Sequence, residues 1–239
     1  LKSFLITSER EIARKANINL LMQQLPNTQI VEAIYPDHQH IPFLNKIKTV
    51  SKQRTGHELV NGEIGCLLSH RKVWRKIVAE KNDSEFYLIL ESDSVIFDLP
   101  ALLNLANNNI SQYNSNAFIF FFGAWLGHMK LLRSTIKILD KNYIIGEPFI
   151  KTLYCSYGYG LNLKAAKYLL NQTNKVAYPV DQFKRFVNPS RISLWGVYPE
   201  IISAAALGSY INQSSIHIWQ RKLIMNLLDI KNNIICFFK

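Results

Sequence analysis

The chain has 239 residues, 48% of them hydrophobic and 19% charged, with a formal charge of +11. That length suits one large domain that buries a core without disulfide or metal support, and the composition excludes a disordered tail, a collagen-like fibre and a disulfide scaffold. The charged fraction is low through a shortage of acids, so the basic excess points to an anionic partner: nucleic acid, nucleotide, phosphorylated glycan or membrane surface.

Ser3–Thr7 is a short β-rich apolar run. Thr7 or Ser8 then caps a helical stretch, Glu9–Leu25, with Ile12, Ala16, Leu20 and Leu21 on one face and Glu9 and Glu11 at its favourable N-terminal end. Pro26-Asn27 stops it, and Gln29–Ile34 reads as a second strand. Strand, helix, strand is the opening of an α/β sheet. Residues 35–60 are polar and aperiodic, a long loop of the kind that often serves function. Gly62–Lys81 is the clearest helix, with Ile64, Leu67, Leu68, Val73, Trp74, Ile77 and Val78 at helical spacing. Phe86–Leu90 is a wholly apolar strand, Val95–Phe97 continues extended, and Pro100 opens a short helix. Ala117–Phe122 is another buried strand, ended by Gly123. Tyr154–Leu161 alternates small and aromatic residues, with a helix at Leu163–Leu170 behind it. Val180–Val187 reads as a short helix, Leu194–Tyr198 as a strand, and His217 onward as an apolar and basic helical tail.

Cys66, Cys155 and Cys236 are scattered through apolar contexts, which reads as buried thiols in a reducing compartment. No basic-then-apolar leader opens the sequence, and the densest apolar run, Ala117–Leu126, is ten residues, well short of the roughly 20 that span a bilayer. The expectation is a cytosolic or membrane-peripheral protein. The Asn-x-Ser/Thr triplets at Asn82, Asn109, Asn171 and Asn212 are read as chance in an Asn-rich chain.

The most informative feature is Glu91-Ser92-Asp93, two carboxylates at the end of an apolar strand. Ligands of open α/β sheets bind outside the carboxyl ends of the strands. Carboxylates there can hold a hard divalent cation, which grips a diphosphate and neutralises the charge developing on a departing nucleoside diphosphate. A polar turn that merely caps the strand has the same spacing.

This turn follows Gly62-Glu-Ile-Gly-Cys-Leu-Leu-Ser-His70, and with Leu88-Ile-Leu-Glu-Ser-Asp93 it resembles glycosyltransferase family 25, the lipooligosaccharide-biosynthesis galactosyl- and glucosyltransferases. Further segments follow in the family's order: Phe4–Arg10, Ala33–Asp37, Ser156–Gly160 with Ala165-Ala166, Pro179-Val-Asp181, and Pro199 with Ser203 and Ser215-Ile216. One departure is Ser92, which stands where the family has a central acid. The resemblance spans residues 3 to 216. It implies a GT-A-like α/β single domain over 1–216, with a Rossmann-like nucleotide half (1–125) on a mixed central sheet and an acceptor half (126–216); the residues beyond it, 217–239, read as a C-terminal basic amphipathic helical tail. It implies inverting transfer of a hexose, usually galactose, from a UDP-sugar with a divalent metal, commonly Mn²⁺. The implied acceptor is a lipid-linked oligosaccharide on the cytosolic face of a bacterial inner membrane.

Residue roles follow. Asp93 is expected to be the direct metal ligand, with Glu91 reaching the metal through water or contacting the ribose, and His217 completing the metal shell as a neutral imidazole. Asp181 is expected to be the general base that takes the acceptor proton, or else an N-cap. Thr7, Arg10, Glu63, Ser69 and His70 are candidate nucleotide contacts. Arg14 shares Arg10's two readings, phosphate contact or solvated helix face. Tyr157, Gly158 and Tyr159 offer sugar stacking and close approach, or simply a twisted core strand. In the tail, Trp219, Leu223, Leu227 and Ile234 with Arg221, Lys222, Lys231 and Lys239 suit an interfacial helix, or one packed on the domain. A catalytically impaired relative that binds UDP-sugar or glycan is the alternative. Nucleic acid is not an expected partner, since zinc spacing, an RNP-like strand and a dense basic helix are all missing from the sequence. The net charge is +3 over residues 1–60, −2 over 61–120, +6 over 121–180 and +4 over 181–239. The acidic quarter holds the proposed metal turn, and the basic excess lies with the acceptor half and tail.

Overall fold

The computed structural model describes residues 1–109, 116–154, 156–205 and 228–237. In chain order the elements are β1 (Lys2–Thr7), α1 (Lys15–Gln24), β2 (Thr28–Glu32), α2 (Leu44–Thr55), α3 (Asn61–Glu80), β3 (Phe86–Glu91), β4 (Ser94–Ile96) and α4 (Leu99–Asn104). Then come β5 (Phe118–Phe121), β6 (Lys137–Ile138), β7 (Ile144–Gly146), β8 (Gly158–Asn162), α5 (Leu163–Gln172), β9 (Ser193–Tyr198) and β10 (Ile202–Ala204). A last helix, α6, covers 228–237.

Eight strands form one mixed sheet in the order β2-β1-β3-β8-β5-β9-β7-β6. β1 pairs in parallel with β2 and β3, β8 runs antiparallel to β3 and β5, and β9 runs parallel to β5. The carboxyl ends of β1, β2, β3, β5 and β9 therefore share one edge, and the amino end of β8 joins them. β8, late in sequence, lies between β3 and β5, so the two halves of the chain share one sheet. This is the mixed α/β architecture expected from the sequence.

Strand alternation sorts the core onto two faces. Phe4, Ile6, Tyr87, Ile89, Ile119, Phe121, Tyr159 and Leu161 form one cluster with Trp74 of α3 and Leu169 of α5. Leu5, Phe86, Leu88, Leu90, Phe118 and Phe120 face the other way, against Leu21 of α1, Leu102 of α4 and Ile202 of β10. By the same alternation Glu91 follows Tyr87 and Ile89 and points beneath α3.

Several elements differ from the periodicity reading. The first helix begins later, because Glu11 turns inward: its carboxylate accepts from Thr7 Oγ1 (2.8 Å) and Tyr35 Oη (2.5 Å). Its expected apolar face is rotated as well, with Ile12 79% exposed and Leu21 buried. The expected loop at 35–60 contains α2, a basic helix that sets only Leu44 and Ile47 against the core, too few apolar residues to give a periodic signal. Val180–Val187 forms a single 3₁₀ turn at Phe183–Arg185. Residues 217–227 and 238–239 of the expected tail, His217 and Lys239 among them, lie outside the described residues. α6 docks through Asp229, which pairs with His128 (2.9 Å) and Lys130 (3.5 Å), and through buried Cys236.

Gly65 sets how closely α3 approaches the chain leaving β2. A Cβ there would sit 2.3 Å from the Ile34 carbonyl oxygen and 2.8 Å from Pro36 Cδ. The same contact is tied by Ser69, whose hydroxyl donates to Gly65 O (2.7 Å) and accepts from Ile34 N (2.8 Å). Gly65→Ala must push α3 off a backbone group. We expect it to lower stability by about 1–3 kcal/mol, read as a lower Tm in thermal denaturation; an unchanged Tm would show that this contact relaxes freely.

Candidate active site

A cleft of about 780 Å³, counted out to its open mouth, lies at the carboxyl edge of β1, β2 and β3. Its lining includes Glu11, Arg14, Tyr35, His70, Glu91 and Asp93. This is the edge where α/β sheets bind ligands.

The acidic turn is fixed from both sides. Glu91 Oε1 accepts from Ser156 Oγ (2.5 Å) and from His70 Nε2 (3.3 Å). Burial pushes the Glu91 carboxyl up, but the hydrogen bonds from His70 and Ser156 and the nearby Arg14 more than offset this and hold it below its ordinary value. Asp93 Oδ2 pairs with Arg14 Nη2 at 3.0 Å, while Arg14 Nη1 donates to Ser92 Oγ at 2.8 Å. The Ser92 carbonyl accepts from Asn17 Nδ2 (2.8 Å), so α1 holds the turn. Burial and then the Glu91 charge push Asp93 up to about 6, against the pull of Arg14. Its other oxygen, Oδ1, is buried without a hydrogen-bond partner among the described residues.

Asp181 also has a buried Oδ1 without a partner among the described residues. Burial, then the charges of Glu91 and Glu63, push it up to about 6. Asp181 therefore stands within electrostatic reach of the acidic turn although it is about 90 residues away in sequence. Four carboxylates line the cleft itself (Glu11, Asp37, Glu91 and Asp93), with one guanidinium among the described residues, that of Arg14. A diphosphate entering such a site is repelled unless a cation accompanies it. The unpaired oxygen of Asp93 suits a hard divalent cation. A second group of ligating atoms, from Cys66, His70 and Glu91, lies within 4.8 Å of one another. Burial, then Glu91, Asp181 and Asp93, push the Cys66 thiol well above its ordinary value, so without a metal it is held as a thiol.

Other expected site residues are placed differently. Arg10 is exposed on the turn after β1, and it is Arg14, one helical turn on, that enters the cleft. Thr7 is buried and its hydroxyl goes to Glu11. Glu63 Oε2 accepts from Val60 N (2.9 Å) and caps α3. Ser69 ties α3 to Ile34, while His70 reaches Glu91. Tyr157 is buried; its hydroxyl donates to Glu200 Oε2 (2.9 Å) and accepts from Leu126 N (3.0 Å), anchoring the loop after β5. Gly158 packs against the Ile202 side chain, and Tyr159 is fully buried with its ring near His70 and Phe183. Neither of these two offers a face to the cleft. His217 lies outside the described residues. Tyr35, Cys66 and Ser156 join the site beyond the expected residues. Cys66 stands four residues before His70 on one helix face, and Ser156 opens the Ser156–Gly160 segment, whereas nothing in the sequence marks Tyr35 within Ala33–Asp37.

The model of glycosyltransferase family 25, described as an LPS biosynthesis protein, matches residues 1–184, which contain the α3 block, the acidic turn and Asp181. The chain belongs to glycosyltransferase family 25. It is a transferase, and membership implies a nucleotide-sugar donor and a glycan acceptor. No curated protein matches this family-25 chain. Among solved structures it is similar to a mannose-1-phosphate geranyltransferase from Thermus thermophilus, at 10% identity and TM-score 0.45, over 82% of this chain and 73% of that one. It is also similar to a glycosyltransferase involved in glycosylation of the PBCV-1 major capsid, at 12% identity and TM-score 0.43, over 95% and 100%. A third is the galactosyltransferase LgtC in complex with donor and acceptor sugar analogs, at 14% identity and TM-score 0.33, over 79% and 66%.

An acid whose pKa is higher in the folded than in the unfolded chain binds its proton more tightly when folded. The charged form of Asp181 therefore weakens the fold above about pH 6, and this penalty fades as pH falls toward the ordinary carboxylate range. We expect Asp181→Asn to melt higher than the parent at pH 8, by a stability on the order of 1–3 kcal/mol, with the difference closing toward about pH 4. A constant difference across that range in calorimetry would refute the shift.

Proposed function

We propose that this glycosyltransferase moves a hexose, galactose first among the candidates, from a UDP-sugar to a growing lipooligosaccharide or lipopolysaccharide oligosaccharide with inversion at the anomeric carbon. The observation that supports this most is the buried, unpaired Oδ1 of Asp93 beside Glu91, in a cleft with excess negative charge. Asp93, with Glu91 behind it, would hold a divalent cation, and Mn²⁺ fits the carboxylate set. When bound, such an ion would neutralise charge on the departing diphosphate. Arg14 adds a fixed positive charge on the same side.

The chemistry left to the protein is one displacement. The acceptor hydroxyl oxygen bonds to the anomeric carbon as the bond from that carbon to the phosphate oxygen breaks, and UDP leaves with the electron pair. Asp181 takes the hydroxyl proton; a carboxylate raised to about 6 is still ionised near neutral pH and is a stronger base than an ordinary one. A second reading, a relative that binds donor without turning it over, is favoured by Ser92, whose hydroxyl accepts from Arg14.

We assign the nucleotide half to about 1–125, the acceptor half to 126–216 and the tail to 217–239. No helix among the described residues is long and apolar enough to cross a membrane. In α6, Ile230, Ile234 and Phe237 fall on one exposed side, beside Lys231, while Asn232 and Cys236 are buried on the other. That arrangement, with the basic second half of the chain, supports peripheral contact with the anionic cytosolic face of the inner membrane.

UDP release should be measured from several UDP-sugars with truncated lipooligosaccharide as acceptor. We expect turnover with Mn²⁺ and loss with a chelator. Asp93→Ala should lower turnover by roughly 10²-fold or more. Asp181→Asn should lower it by about 10²–10⁴-fold while UDP binding remains. UDP binding without turnover of any donor would favour the second reading. In sedimentation with vesicles, binding is expected with anionic lipid and not with neutral lipid, and Ile234→Glu should weaken it; equal binding to both would remove the membrane assignment.

A further inference from the structure

Behind Glu91 lies a row of buried polar groups that the displacement does not use. Trp74, His70 and Tyr159 are each fully buried. Trp74 Nε1 donates to Tyr159 Oη at 2.9 Å, and Tyr159 Oη lies 2.9 Å from His70 Nδ1. His70 Nε2 then faces Glu91 Oε1 at 3.3 Å.

The direction of each proton follows from what the groups can do. An indole N–H only donates, so the phenol oxygen accepts from Trp74. The phenol hydrogen needs an acceptor, and His70 Nδ1 is the one within reach among the described residues. Burial pushes the Tyr159 hydroxyl well above its ordinary value, so it keeps that hydrogen. A ring nitrogen that accepts carries no proton, so a neutral His70 has its hydrogen on Nε2, where it donates to Glu91. With its hydrogen there, Nε2 has no in-plane lone pair for a metal ion held together with Cys66 and Glu91, which argues against a soft metal at that cluster. His70 sits one helical turn before Trp74, and β8 sets Tyr159 between them, so both α3 and the sheet fix the row.

We propose that Trp74, Tyr159 and His70 are positioning residues: a one-directional hydrogen-bond row that locks the His70 tautomer and so holds Glu91 in place at the donor cleft. The proposal rests on the reading of Glu91 as part of the donor site, and it predicts an effect on turnover that passes through Glu91.

Two measurements separate the row from that reading. The first needs no activity: long-range ¹H–¹⁵N spectra of the labelled full chain should give His70 as the Nε2–H tautomer, and Tyr159→Phe should disturb that signal. Finding the Nδ1–H tautomer in the parent protein would overturn the row even if Tyr159→Phe fails to fold. The second uses a UDP-sugar that the parent turns over. Tyr159→Phe, which keeps the ring but removes the hydroxyl, should lower kcat by about 10- to 100-fold with little change in donor KM. His70→Leu should do the same, with partial recovery in His70→Gln, whose amide can still donate to Glu91. In a Glu91→Gln background, Tyr159→Phe should cost less than about twofold more. Equal losses in both backgrounds would overturn the proposal and leave Tyr159 a packing residue. A parent that binds UDP but turns over no donor defeats the functional reading alone, and the tautomer result then still decides the row.

Discussion

Burying carboxylates at the end of an apolar strand is the constraint on which the rest of this structure depends. β3 runs from Phe86 to Leu90 buried on both faces, the Tyr87 hydroxyl alone reaching a polar partner in Glu80, and then delivers Glu91, partly buried, to its end. A buried carboxylate survives as a charge only if donors surround it. The surrounding elements supply them: His70 from α3 and Ser156 from the approach to β8 for Glu91, Arg14 from the entry to α1 for Asp93. The close approach of α3 at Gly65, the inward turn of Glu11 and the ties from Asn17 can each be understood as support for that turn.

The support is incomplete, and the incompleteness is where function enters. One oxygen of Asp93 and one of Asp181 are buried without partners among the described residues, and both acids are pushed up to about 6. A fold that satisfied them would be more stable and, on the proposed function, would leave nothing to hold a cation or take an acceptor proton. Strain of this kind is commonly stored at active sites and offset by packing elsewhere. Here the offset is the aromatic core on the α3 side, where Tyr159, Phe121 and Phe183 pack edge to face and stacked.

Much of this was legible in the chain. The apolar runs at β1, β3 and β5 and the long period of α3 read clearly because burial on both faces of a sheet, or along a helix, leaves dense apolar patterns. The family block at Gly62–His70 and the Glu91 turn marked the right edge of the sheet. α2 was not legible, since a helix that covers the core with two residues leaves almost no periodicity. Nor were the separate fates of Arg10 and Arg14: Arg10 lies on the turn after β1 and Arg14 ends the 3₁₀ segment before α1, and only that tertiary path sends one inward. Tyr159 read as a sugar platform because small and aromatic residues alternate in binding strands and in core strands alike.

The sequence by itself determined the class, the family and the acidic turn, because these depend on local pattern and on short ordered motifs. It also determined that the basic excess lies away from that turn. Only the tertiary structure decided which polar groups meet. Asp181 reaches the electrostatic field of Glu91, Arg14 reaches Ser92 across 78 residues, and Tyr159 reaches His70 across 89, through a strand inserted between β3 and β5. Such contacts depend on strand order and on helix approach, which no local spacing encodes. The +11 charge is the clearest case. Summed along the chain it announces an anionic partner, yet the cleft itself gathers acids around one arginine, which on the proposed function calls for a cation first.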